Sequence, residues 1–89
     1  MKLNRLKEVF DEFGVKNRTL ATILNKSEST ISLWRNNKRQ PSLEEFHIIS
    51  KLLRVNIHEL IESTNWENDN SITYKEISEK INKIRIKKI

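Results

Sequence analysis

Residues able to do covalent or metal chemistry are few in this sequence, and none stands in a productive pattern. Cysteine is absent, which removes thiol catalysis, disulfide scaffolds and every cysteine-ligated zinc site. His47 and His58 lie eleven residues apart, outside any HExxH-like spacing. The single glycine, Gly14, cannot build a glycine-rich phosphate loop or a dinucleotide fingerprint. Carboxylates alternate with lysines along surface faces, and no two form an acid/base pair in a pocket. The expectation is a protein without enzymatic activity, cofactor or metal. What remains is charge: Lys26, Arg35, Lys38 and Arg39 against Glu28 make residues 26–39 +3. Clusters of this kind attract polyanions.

The elements that must position those cations follow from length and periodicity. Eighty-nine residues make one small domain with a short appendage. Such a chain buries only about 60–65% of its extended surface, which leaves little room for an enclosed active site and favours a binding module. One glycine and one proline leave long helices uninterrupted. The net charge of +5 divides unevenly. Residues 1–64 hold eleven Lys/Arg against eight Asp/Glu, 65–70 hold Glu67 and Asp69, and 71–89 hold six Lys/Arg against Glu76 and Glu79. No apolar run approaches the roughly 18 residues of a membrane span, and no signal-peptide h-region opens the chain. A soluble, intracellular, mostly helical protein is expected.

Leu3, Leu6, Val9/Phe10 and Phe13 predict a first helix over 2–13, ended near Gly14. Leu20, Ala21, Ile23 and Leu24 predict a second over 17–24, followed by Asn25, which tolerates the left-handed conformation. Ser27 is a good N-cap for a third helix with Ile31 and Trp34 on its inner face. Ser42-Leu-Glu-Glu45 is a capping box. It opens a fourth helix with Leu43, Phe46, Ile49 (or Ile48), Leu52 and Leu53 as its buried stripe. Asn56 and Glu59 start a short fifth helix with Ile57, Leu60 and Ile61. A polar linker is placed at 65–72, with Trp66 as an anchor on the bundle or an interface residue. Thr73-Tyr-Lys-Glu76 then caps an amphipathic C-terminal helix with Tyr74, Ile77, Ile81 and Ile84, followed by a basic tail, over 73–89. The fold class is all-α.

Asn17–Asn36 is the informative stretch. Two short helices crossing over so short a turn need a side chain no larger than Ala near the crossing. They also need a left-handed-tolerant residue in the turn and an aliphatic anchor beyond it. Ala21, Asn25 and Ile31 supply these. Such a geometry exposes the outer face of the second helix, which can enter a major groove about 12 Å wide.

In these residues the sequence resembles the Cro/lambda-repressor (XRE-type) helix-turn-helix family. The resemblance is carried by Leu20-Ala21, Leu24-Asn25, Ser27 to Ser32, Trp34, Asn36 to Arg39, Pro41-Ser42-Leu43 and Val55 to Leu60, and spans about residues 3–62. It implies a five-helix, lambda-repressor-like domain over 1–64, with the helix-turn-helix at about 17–36, binding operator DNA usually as a dimer. It places Ser27, Glu28, Ser29 and Thr30 at the N-terminal end of the recognition helix, with Ser32 and Leu33 one turn on. Asn17 falls where the family touches phosphate at the start of helix 2, and Asn37, Lys38 and Arg39 fall in the backbone-tracking loop. Ser27 is a cap first. Glu28 either accepts from a cytosine amino group or stabilises the helix start. Ser29 and Thr30 read as base or phosphate contacts. Leu33, off the inner face of Ile31 and Trp34, is expected exposed and suited to a thymine methyl, whereas Trp34 belongs to the core. Four positions depart from the family pattern. Lys16 replaces the usual Ser/Thr cap, so Asn17 is the substitute cap. Asn25 and Asn37 replace common glycines, and Arg54 replaces another, so that helix end is expected to differ.

These readings predict a sequence-specific transcriptional regulator, a repressor acting as a homodimer on a palindromic double-stranded operator. It would be cytoplasmic, prokaryotic or phage, and nucleoid-associated when bound. The alternative is a protein-binding adaptor, such as an antitoxin or restriction–modification accessory. There the C-terminal helix docks a protein partner through Trp66, Tyr74, Ile77, Ile81 and Ile84, which are equally candidates for the dimer interface.

Overall fold

Residues in the left-handed conformation end three of the helices, and a fourth closely follows another helix. The computed structural model describes residues 1–87. Helix α1 (Leu6–Phe13) stops at Gly14, φ 66°. Helix α2 (Asn17–Leu24) stops at Asn25, φ 55°. Helix α3 (Glu28–Arg35) starts at the Ser27 cap and is followed by Asn37, φ 58°. Helix α4 (Leu43–Leu53) carries the full Ser42/Glu45 capping box, with Glu45 N–H donating to Ser42 Oγ at 3.1 Å and Ser42 N–H to Glu45 Oε1 at 2.8 Å. It ends at Arg54, φ 56°. That helix therefore ends as a glycine-terminated helix would, not differently, and the arginine takes on the steric cost of the left-handed region.

The expected fifth helix is a single 3-10 turn, Ile57–Leu60. Glu59 accepts there from Asn56 N–H at 2.8 Å. Helix α5 (Tyr74–Lys87) closes the described chain, and its first turn is held by Glu76 N–H on Thr73 Oγ1 at 3.3 Å. Lys88 of the expected basic tail lies outside the described residues.

The first helix begins at Leu6, not at residue 2, because the preceding residues are claimed by the far end of the domain. Asn4 forms an antiparallel bridge with Ile61. Arg5 N–H donates to Leu60 O and Glu62 N–H to Leu3 O, both at 2.8 Å. An extended segment thus satisfies its backbone groups without a helix.

Leu6, Val9, Phe10, Leu20, Ala21, Ile31, Trp34, Phe46, Ile49 and Leu60 form the buried core. Val15, Leu24, Leu53, Val55 and Ile57 pack around it. The stripe of α4 is narrower than expected. Phe46, Ile49, Ser50 and Leu53 face inward at helical spacing, but Leu43 is 73% exposed and Ile48 and Leu52 are also exposed. Leu43 sits at the helix start, and Leu52 lies one helical step round from the inward face. Leu3 and Phe13, expected on the α1 stripe, are exposed as well. The molecule is 60 Å long and 27 by 20 Å across. The apolar stripe of α5, from Tyr74 through Ile77 and Ile81 to Ile84, is exposed along its length. Among the described residues, no helix is long and apolar enough to cross a membrane.

Candidate nucleic-acid interface

Helix α3 is held on α2 at Ala21, which is buried with Leu20 and Ile31. In the turn between them, Lys26 N–H donates to Ala21 O at 2.9 Å, closing the end of α2 around left-handed Asn25. The Lys26 ammonium reaches Glu45 Oε2 at 3.1 Å, which ties the turn to α4. Burial alone would raise the Glu45 pKa. The Ser42 N–H and the Lys26 ammonium outweigh it and hold the carboxyl below its ordinary range.

The N-terminal end of α3 presents a knot of hydroxyls. Ser27 Oγ accepts from Thr30 N–H at 3.1 Å and lies 2.9 Å from Thr30 Oγ1 and 3.0 Å from Ser29 Oγ. Ser27 is the cap the sequence suggests, and its remaining hydrogen-bonding capacity is shared with its neighbours. Glu28 stands exposed at the helix start, with Arg18 Nε of α2 3.8 Å away. That guanidinium was missed in the sequence, although it lies one residue beyond Asn17. Ser29 is exposed and Thr30 half-buried. Ser32 is half-buried, with Asn36 Nδ2 donating to its hydroxyl at 3.4 Å.

Leu33 differs from expectation: it is half-buried, not exposed. The chain after α3 folds back on it, since Lys38 N–H and Arg39 N–H both donate to Leu33 O, at 2.9 and 3.2 Å. The loop that follows presents Lys38 and Arg39 exposed.

Two asparagines are spent on the fold. Lys16 occupies the cap position of α2 with no side-chain cap, and Asn17 is the first helical residue, not a substitute cap. Asn17 Oδ1 accepts from Arg35 Nη1 at 2.8 Å. Arg35 holds the oxygen, and the NH2 of the same carboxamide is the donor that a phosphate requires. Asn37 is half-buried and turned inward onto Asn4, so its carboxamide faces the body of the domain and not the loop's outer edge.

Arg35 is the positioning residue that the charge count misread as part of an anion-facing patch. It donates to Val15 O at 3.2 Å and to Asn17 Oδ1, pairs with Asp11, and lies over the Phe10 ring at 5.5 Å. It thereby fixes α1, the α2 start and α3 together. Its spacing of four from buried Ile31 was the available signal, because residues four apart share a helix face. The Arg35 guanidinium, and after it Lys7, hold the Asp11 carboxyl below its ordinary range.

The tail candidates are not gathered with this surface. Trp66 is 69% exposed, so it does not anchor the linker on the bundle. Tyr74 is 86% exposed, and Ile77, Ile81 and Ile84 follow on the same open face.

Among known protein families, a helix-turn-helix family model matches residues 6–60. The chain is similar to a candidate DNA-binding protein from Bacteroides fragilis known from a crystal structure. The two are 47% identical with a TM-score of 0.66, over 70% of this chain and all of that one. No curated protein matches significantly.

Proposed function

This chain belongs to the helix-turn-helix family, and from that premise we propose that it is a sequence-specific DNA-binding transcriptional regulator, a repressor that acts as a dimer. One observation carries the reading: Glu28 and Ser29 stand exposed at the free N-terminal end of α3, with Lys38 and Arg39 exposed beyond its other end. The similarity to the Bacteroides fragilis protein supports it. Glu28, Ser29 and Thr30 would meet base edges or phosphate, since a helix N-terminus offers free N–H groups and a positive dipole. Ser32 and the accessible part of Leu33 would lie one turn deeper, Leu33 toward a thymine methyl. Asn17 at the α2 start, and Lys38 and Arg39 in the loop, would contact phosphates on either side. Two copies would place their recognition helices about 34 Å apart on one face of the duplex.

The exposed stripe of α5 supports dimerisation through Tyr74, Ile77, Ile81 and Ile84. It equally favours a second reading, in which α5 docks a different protein and the regulator doubles as an adaptor. A lone helix of this length is marginal in water, so either partner would stabilise it.

Selection of bound sequences from a random duplex pool tests the main reading. A palindromic consensus is the expected result, with log K falling by about 0.9 per neutralised phosphate against log salt. Lys38→Ala should flatten that slope without shifting the consensus. A pool that enriches nothing, together with salt-insensitive binding, would move the assignment to the adaptor.

A further inference from the structure

Asn4 is polar, uncharged and 0% exposed, and every group it carries has a partner. Its Nδ2 donates to Trp34 O at 2.9 Å and to Gln40 Oε1 at 2.7 Å. Trp34 O is one of the carbonyls that the end of α3 leaves without an intrahelical partner. Asn4 Oδ1 accepts from Leu6 N–H, at the start of α1, at 2.9 Å. One side chain therefore serves the beginning of the first helix and the end of the third.

Asn37 completes the arrangement from the other side. Its Oδ1 accepts from Leu3 N–H and Asn4 N–H, each at 2.8 Å, and its Nδ2 donates to Asn4 O at 3.0 Å. Gln40 Nε2 donates to the same Oδ1 at 3.3 Å. The Asn37 carboxamide thus behaves like one peptide group of a strand. It pairs one edge of residues 3–4 while Ile61 and its neighbours pair the other. The same residue supplies the left-handed φ of 58° that turns the chain out of α3. Glycine would meet the φ requirement more easily but would forfeit the clamp.

From this geometry we propose that the Asn4–Asn37 pair, braced by Gln40, is a positioning device that sets the Lys38–Arg39 loop for phosphate contact. The proposal rests on the DNA-binding reading above. Lys38 and Arg39 follow Asn37 directly, and both backbone N–H groups are already bound to Leu33 O. Clamping Asn37 to the N-terminal segment removes the hinge at the base of the loop. The two cations are then presented at a fixed register to α3, and their ordering cost is met before DNA arrives.

Asn37→Gly in the full chain tests this, with a mixed-sequence DNA duplex as probe, since phosphate contacts dominate binding to such DNA. The variant keeps the left-handed turn, so native helix content and Trp34 fluorescence are expected. Affinity should fall, and the slope of log K against log salt should shrink by about 0.9 for each phosphate that the loop no longer neutralises. Lys38→Ala should cost several-fold less in the Asn37→Gly background than in the wild type, a coupling that a uniform loss of stability would not produce. Gln40→Met, a milder loosening of the same node, should move all three quantities the same way by less, and it carries the test if Asn37→Gly fails to fold. Wild-type binding together with an unchanged slope and an additive Lys38→Ala effect would overturn the positioning role alone. Absence of salt-dependent binding by the wild type would overturn the DNA-binding reading, and this proposal with it.

Discussion

Replacing Arg35 by methionine should destabilise the domain by about 2–3 kcal/mol. The methionine keeps an apolar stem beside Phe10 but removes the guanidinium. Two hydrogen bonds disappear, to Val15 O at 3.2 Å and Asn17 Oδ1 at 2.8 Å. Each is worth about 1 kcal/mol net at a half-buried site. The contact over the Phe10 ring at 5.5 Å contributes about 0.5–1 kcal/mol. The pair with Asp11 lies on the solvent side and is left out of the sum. A loss of this size corresponds to a Tm lower by roughly 10–20 °C for a domain this small. Urea unfolding followed by tryptophan fluorescence reads it directly. Trp34, 2% exposed, reports the transition, whereas Trp66 already faces solvent in the native state. Because Arg35 and Asn17 share one of the bonds, Asn17→Ala should cost about 1 kcal/mol less in the Arg35→Met background. A loss below about 0.5 kcal/mol, the scale of an ordinary surface change, would refute the assignment of Arg35 as the tie between α1, α2 and α3.

Three further outcomes follow from the same geometry. Arg54→Gly should raise stability by up to about 1 kcal/mol in urea melts, since relief of a left-handed non-glycine residue exceeds the entropy glycine adds to the unfolded chain. Stability should fall on acidification. Asp11 is held low by Arg35 and then Lys7, and Glu8 chiefly by Lys2; such carboxyls stabilise above their unfolded values of about 4 and lose that contribution as pH drops through the lower folded values. Urea midpoints should therefore be lower at about pH 3 than at about pH 6, with a smaller acid loss in Arg35→Met. Ending the chain at Asn70 should leave the unfolding of the helical body within about 0.5 kcal/mol, because α5 presents an exposed apolar face. The same truncation should abolish dimerisation, measured by sedimentation, if α5 is the interface.

The helix-turn-helix was legible because its determinants are local. Ala21, Asn25, Ser27 and Ile31 fall within eleven positions, and each acts on its own turn or cap. The Ser42 capping box was legible for the same reason. Asn4 was not, since nothing in the residues around it distinguishes a buried asparagine from an exposed one. Its partners Trp34, Asn37 and Gln40 are 30 or more positions away. Arg35 counted as positive charge because composition cannot tell a guanidinium spent on Asn17 and Val15 from one offered to a ligand. Leu43 and Leu52 fitted the α4 stripe in periodicity, but periodicity does not say how wide a face the neighbouring helices cover. Leu33 failed through the returning loop, whose path depends on left-handed Asn37.

The bridge between Asn4 and Ile61 also makes the helical body a closed ring of chain. Leu3 to Arg5 pair with Leu60 to Glu62, so neither segment can fray without releasing the other. Closing so long a loop costs entropy that only the completed core returns. During synthesis, therefore, α2 and α3 emerge well before the segment that closes the ring. The Asn4–Asn37 bonds already join residues 33 positions apart, and the bridge must wait further, until Leu60 to Glu62 have been added. A nascent chain arrested before that point would lack both Leu60 in the core and the pairing of residues 60–62 with residues 3–5.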